Sequence, residues 1–159
     1  MASGDERAAV PEGLSGEGLR VGVIKASWNQ EIIDRLDAGV QRALEALGVT
    51  EVSTVEVPGC FEIPLACQAV ASSGRIDAIV AIGAVIRGET THYELVSEGA
   101  ADGIHRVQLD TGVPIGFGLV TVENTEQALA RSEGPGGHNV GEEATTAAVQ
   151  LARVVQEWR

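Results

Sequence analysis

The sequence is poor in aromatic residues, in lysine and in positive charge. Two Trp, two Phe and one Tyr make up 3% of 159 residues, so an aromatic that falls at a ligand-facing position is easy to single out. Eleven basic residues against 23 acidic ones leave a formal charge of -12. Such a surface repels a phosphate backbone and lacks the footprint of a nucleic-acid binder, and it excludes anionic membranes on the same ground. Lys25 is the single lysine, set inside or at the end of the first expected strand, so lysine imine chemistry has one unattractive candidate. The two cysteines, Cys60 and Cys67, form no CxxC and have no histidine at metal spacing, which argues against a zinc site or a redox dithiol. Free thiols fit a reduced, cytoplasmic interior. No apolar run approaches the ~18 residues needed to span a bilayer, and residues 1–18 show neither the basic end nor the apolar stretch of a signal peptide.

Glycine is what the sequence has in excess, 20 of 159 residues, against an average usage of ~7%. Tight turns and close backbone approach are the expected result. With 44% apolar and 21% charged residues, the chain has the balance of one ordinary domain. Residues 1–18, rich in Gly, Glu, Ser and Ala, read as a loose arm, and 19–159 as a single domain. Short β-branched runs at 19–26, 50–57, 76–86 and 114–122 alternate with helical periodicity at about 31–47, 62–73, 92–109, 125–131 and 140–158. The run 76–86 is continuously apolar, as a central strand of a parallel sheet must be when helices cover both faces. The expected fold is an α/β, three-layer, doubly wound sandwich with a four-stranded parallel sheet, whose ligands gather beyond the carboxyl ends of the strands.

The segment GAVIRGETTHYE (83–94) carries the most chemistry. A buried strand gives way to a loop and then to a helix, with Thr91 and Glu94 spaced as a capping box. Backbone N–H groups at Gly88, Glu89 and Thr90 are placed to receive a phosphate or carboxylate, provided that Glu89 turns its backbone and not its carboxylate to the ligand. His92, in the first helical turn, is expected neutral near pH 7 because the positive helix end disfavours its charged form, and it can then accept or relay a proton. A solvent-facing capping histidine is the ordinary alternative. His105 and His138 read as solvated or packing residues. Arg131, closing the short helix after the fourth strand, can clamp phosphate or simply complement the helix dipole. Trp28 and Phe61 follow the first and second strands and offer flat surfaces at the ligand edge, with core packing as the default. Glu62 sits where a helix begins, either stabilising that helix end or accepting hydrogen bonds from hydroxyls or amines. Phe117, in the fourth strand, reads as core unless a subunit boundary passes it.

Taken in order, ASWN (26–29), VPGCFEIP (57–64), AIGAVIRGETTHYELV (81–96) and TGVPIGFGLVTVENTEQALAR (111–131) resemble the 6,7-dimethyl-8-ribityllumazine synthases of riboflavin biosynthesis. The resemblance implies a flavodoxin-like topology. It also implies a cofactor-free, metal-free condensation of 5-amino-6-(D-ribitylamino)uracil with 3,4-dihydroxy-2-butanone 4-phosphate, releasing phosphate and water. By position, His92 matches the proton-transferring residue, and Trp28 the ring-stacking one. Cys60, Phe61 and Glu62 match the ribityl-binding turn, while Ala84, Val85 and Ile86 match the pyrimidine-binding strand end. Gly88, Glu89 and Thr90 match the phosphate loop. Phe117 and Arg131 match residues that a neighbouring subunit contributes. The partners implied are small-molecule substrates and further copies of the chain, in homo-oligomers built on pentamers with sites between subunits. One departure stands out: many members carry a lysine near the substrates where Val140 aligns here. That missing cation keeps open a non-catalytic paralogue that forms the assembly or binds flavin, and a generic phosphate-binding module is a weaker rival.

Overall fold

The computed structural model describes residues 9–159. Four parallel strands form one sheet: β1 (Arg20–Ala26), β2 (Glu51–Val57), β3 (Ala78–Ile86) and β4 (Ile115–Val122), in the spatial order β2-β1-β3-β4. The helices are α1 (Gln30–Ala46), α2 (Ile63–Ala71), α3 (His92–Thr111), α4 (Thr125–Ala130) and α5 (Val140–Trp158), with a 3₁₀ turn at Cys60–Glu62 leading into α2. The doubly wound expectation holds, and β3 is central, with its first eight residues buried.

Strand alternation assigns the two faces. Val21, Val23, Ala78, Val80, Ile82, Ala84, Val120 and Val122 point to one side, where Ile33, Leu36 and Val40 of α1 meet Ala144, Ala148 and Val149 of α5. Ile24, Ala26, Ile79, Ala81, Val85, Ile115 and Leu119 point to the other, against Ile63 and Cys67 of α2 and Ala100 and Ile104 of α3. This is the period-2 pattern of a sheet buried on both sides. Gly116 is required by close approach: a Cβ there would lie 2.8 Å from the Ala144 carbonyl carbon and 3.2 Å from the Ala148 Cβ, so α5 rides almost on the β4 backbone.

Ion pairs at both ends of β1 reinforce the frame. Arg20 and Asp77 tie the starts of β1 and β3 together, with Nη2 to Oδ1 at 2.9 Å and Nε to Oδ2 at 3.1 Å. This guanidinium holds the Asp77 carboxyl below its ordinary range, more strongly than partial burial raises it. Lys25 sits 3.2 Å from Asp37 of α1 and 3.7 Å from Glu56. Burial alone would lower its pKa, but these carboxylates outweigh that effect and raise it. Lys25 is therefore a structural cation and not a neutral amine nucleophile.

Residues 1–8 of the expected arm lie outside the described residues. Closer to β1 the chain is fastened. Leu14 packs against the α1/α5 core, the Gly16 N–H donates to the Leu47 carbonyl at 2.7 Å, and Arg153 donates to the carbonyls of Ser15 and Glu17, each at 2.8 Å.

Candidate active site

The carboxyl ends of β1, β2 and β3 converge through backbone hydrogen bonds. The N–H of Ser27 donates to the Val57 carbonyl at 2.8 Å, and that of Trp28 to the Pro58 carbonyl at 3.1 Å. Asn29 then takes a left-handed backbone, φ 65°, as the only non-glycine with positive φ among the described residues. Asparagine tolerates that region better than most residues. The conformation sends its Nδ2 to the Ala84 carbonyl at 3.1 Å, joining the end of β1 to β3. Trp28 lies with its ring on the Gly59 backbone, so that a Cβ at 59 would fall 2.6 Å from Trp28 Cε3. Trp28 is 63% exposed, so core packing, its default, does not apply.

The turn after β2 builds the next wall. Glu62 Oε1 accepts the Gly59 N–H at 3.0 Å, and the Glu62 N–H donates back to the Gly59 carbonyl at 3.2 Å, which fixes the turn that displays Phe61. Phe61 is 61% exposed and borders Gly99 of α3. Cys60 is buried behind the turn, packed on Gly83 of β3. Burial pushes its thiol up to about 12, against a weaker opposing contribution from a hydrogen bond with the Ala84 backbone. Cys67, also buried, is pushed to about 12 as well. Both thiols stay protonated at neutral pH, which removes them as nucleophiles.

Beyond Ala84, Val85 and the half-buried Ile86, the chain enters the loop 87–91, which is exposed throughout. Among the described residues no hydrogen bond engages the N–H groups of Gly88, Glu89 or Thr90. The space where a Gly88 side chain would stand is open. Three free donors therefore sit beside a helix N-terminus, an arrangement suited to an anion. His92 follows, exposed, with its backbone N–H on Thr90 Oγ1 at 3.3 Å.

The capping box expected at Thr91 and Glu94 does not form. Thr91 makes no side-chain cap, and Glu94 instead pairs with Arg87. Arg87 also holds Glu123 Oε2 at 2.8 Å and lies 4.2 Å above the Tyr93 ring centroid. A nearby guanidinium outcompeted a neutral backbone N–H for the carboxylate, as a charge-assisted pair should. This hydrogen bond holds the Glu94 carboxyl below its ordinary range.

Trp28, Cys60, Phe61, Glu62 and Ala84 are thus joined directly or through Gly59, Gly83 and Asn29. The two remaining candidates lie on β4 and at the end of α4. Phe117 is paired with Ala81 in mid-strand and half-buried toward α3. Arg131, at the end of α4, is exposed and donates to the Gln127 carbonyl of its own helix at 3.0 Å. Val140 is 6% exposed within the α1/α5 core, with Ile86 and Leu129 packed on the same cluster, so it turns no polar group to the loop. Asn29, Arg87 and Glu123 belong to this region without a strong signal in the sequence. For Asn29 the signal was an asparagine between a strand end and a helix start. Arg87 offered only a charge adjoining a buried strand, whose two partners lie seven and thirty-six residues on.

This topology, four parallel strands in the order β2-β1-β3-β4 with helices on both faces, defines an α/β protein of flavodoxin-like fold. A family model described as 6,7-dimethyl-8-ribityllumazine synthase matches residues 18–156. Proteins with that same name are similar along most of their length. The one from Kineococcus radiotolerans is 50% identical over 138 residues, covering 86% of this chain and 85% of the relative. Those from Thermococcus gammatolerans and Azoarcus sp. are 43% and 42% identical, covering 96% and 98% of this chain and 97% and 98% of the relatives. The chain belongs to the 6,7-dimethyl-8-ribityllumazine synthase family.

Proposed function

We infer that the chain condenses 5-amino-6-(D-ribitylamino)uracil with 3,4-dihydroxy-2-butanone 4-phosphate to form 6,7-dimethyl-8-ribityllumazine. The observation that carries the site assignment is the loop of three unengaged amides beside His92, which follows β3, the strand that Asn29, next to Trp28, ties to β1 through the Ala84 carbonyl. The amides of Gly88, Glu89 and Thr90 take the phosphate. Trp28 stacks on the pyrimidine, which the backbone of Ala84, Val85 and Ile86 addresses along its edge. The turn Cys60–Glu62 receives the ribityl chain, Glu62 as hydroxyl acceptor and Phe61 as an apolar wall.

The chemistry needs no protein nucleophile. The 5-amino group of the pyrimidine attacks the ketone and expels water as an imine. Loss of phosphate follows, and the ribityl-bearing nitrogen then closes the ring with loss of a second water. His92 moves the protons these steps require, while most of the acceleration comes from holding two small molecules together. The charged Lys25 and the two protonated thiols support this reading, since none of the three offers a ready nucleophile.

Arg131 is exposed at the end of α4 and bonds its own helix, which supports a head-to-tail ring in which the next subunit supplies it together with the half-buried Phe117. We place that ring in a pentamer-based assembly. Among the described residues no helix is long and apolar enough to cross a membrane, and a cytoplasmic setting fits the two free thiols. Mixing the purified chain with both substrates tests the reading: lumazine fluorescence should rise with one orthophosphate released per lumazine. Tight binding of lumazine without turnover would instead identify a non-catalytic paralogue.

A further inference from the structure

Arg87 makes a three-way joint that the condensation does not use. Its backbone N–H donates to the Val122 carbonyl at 2.8 Å, so the end of β3 is already fastened to the end of β4. Its guanidinium then grips Glu94 in the first turn of α3 and Glu123 just past β4, with Nε 2.8 Å from Glu123 Oε2, while its Cζ stands 4.2 Å over Tyr93. Residues 88–91 span the interval between the two fastened points. His92 is exposed and lies immediately before the two residues that Arg87 holds.

Stability is a poor explanation for the cluster. The side chains of Arg87, Glu94 and Glu123 are 35%, 40% and 57% exposed, and ion pairs at that exposure contribute little to folding. Nor is the charge available to a substrate phosphate, because two carboxylates already engage it. A planar fork that can satisfy two carboxylates and lie on a ring is specific to arginine, and a lysine would hold one partner at a time.

We propose that Arg87 is a positioning residue, which through Tyr93, Glu94 and Glu123 holds the His92 turn and the amides of Gly88–Thr90 in register for the condensation. The proposal rests on the reading of the site given above. Without this joint the first turn of α3 is free to drift relative to the strand ends, and a displacement of about 1 Å is enough to slow a positional catalyst substantially.

The test compares Arg87→Gln, His92→Ala and the double variant by steady-state kinetics, together with the affinity of each for inorganic phosphate measured by calorimetry. Arg87→Gln should lower kcat about tenfold and weaken phosphate binding about threefold to tenfold, with KM for the pyrimidine changed less than about twofold. In the His92→Ala background the same substitution should lower kcat clearly less than in the parent, because the route through His92 is gone while the route through the amides remains, and the loss of phosphate affinity should be the same in both backgrounds. Arg87→Lys should stay impaired. An equal loss of kcat in both backgrounds overturns the proposal, as does wild-type kcat and phosphate affinity in a folded Arg87→Gln. Should Arg87→Gln fail to fold, Glu123→Gln removes one arm of the joint and must show a smaller shift in the same direction, or the proposal fails. A wild-type chain that makes no lumazine sinks the functional reading instead, and the phosphate affinities alone then decide the role of Arg87.

Discussion

Replacing Gly59 by alanine should damage substrate binding while leaving the fold nearly untouched. Gly59 has an extended backbone, φ -145° and ψ -178°, which any residue adopts, so the substitution carries no conformational penalty. What the new methyl meets is the Trp28 ring, 2.6 Å from Cε3 and 2.7 Å from Cζ3. Carbon atoms rest at about 3.5–4.0 Å, so the ring must retreat by about 1 Å. It can do so cheaply, being 63% exposed, and the thermal midpoint should move by no more than about 2–4 °C. A well-placed aromatic pair contributes about 0.5–1.5 kcal/mol beyond its buried area, and its loss corresponds to a roughly 2- to 12-fold higher KM for the ribitylaminouracil. KM for the butanone phosphate should stay within about twofold, because the phosphate loop does not touch Gly59. In a Trp28→Ala background the Gly59→Ala change should add nothing measurable to KM. If Gly59→Ala binds the pyrimidine as the parent does, or if its effect persists without the indole, Trp28 is not the stacking surface.

His92→Ala should slow turnover by about 10²- to 10⁴-fold at most and leave measurable lumazine formation, since positioning survives the loss of one proton carrier. Arg131→Ala should raise KM for the butanone phosphate by about tenfold or more, the scale of one charge-assisted hydrogen bond, with the pyrimidine KM unaffected. Gly116→Ala should destabilise the chain by about 1–3 kcal/mol, read as a lower urea midpoint, because the methyl meets the Ala144 backbone and not a movable side chain. For Asp77 the sign follows from its depressed pKa: the pairing with Arg20 contributes fully above the ordinary carboxylate range and is lost as pH falls below it. Urea midpoints should therefore fall more steeply on acidification from about pH 5 to pH 3 in the parent than in Asp77→Asn.

Local physics explains what could be read from the chain alone. The apolar run ending at Ile86 and the helical spacing from Ile32 to Leu47 are short-range patterns, each imposed by its own period, and the strands and helices fall within a few residues of where those patterns put them. A helix beginning near Glu62 was equally legible from its own period, whereas Cys60–Glu62 entered as a turn only through the family resemblance. The Thr91–Glu94 spacing misled for the opposite reason. A capping box is a local preference, and it yielded to a cation brought in by the sheet and to Glu123, whose neighbourhood depends on the β3–β4 register. Val140 shows a different limit: sequence marked the missing lysine, but only the packing of α5 against α1 shows that the valine is spent on the core.

Co-crystals of the wild-type chain with inorganic phosphate and an unreactive ribitylaminouracil analogue test the site most directly. The account predicts phosphate oxygens within hydrogen-bond distance of the amides of Gly88, Glu89 and Thr90, and the pyrimidine ring lying on Trp28 with its edge along Ala84–Ile86. A phosphate held elsewhere while that loop stays empty at saturating concentration, or a pyrimidine bound away from Trp28, would contradict it.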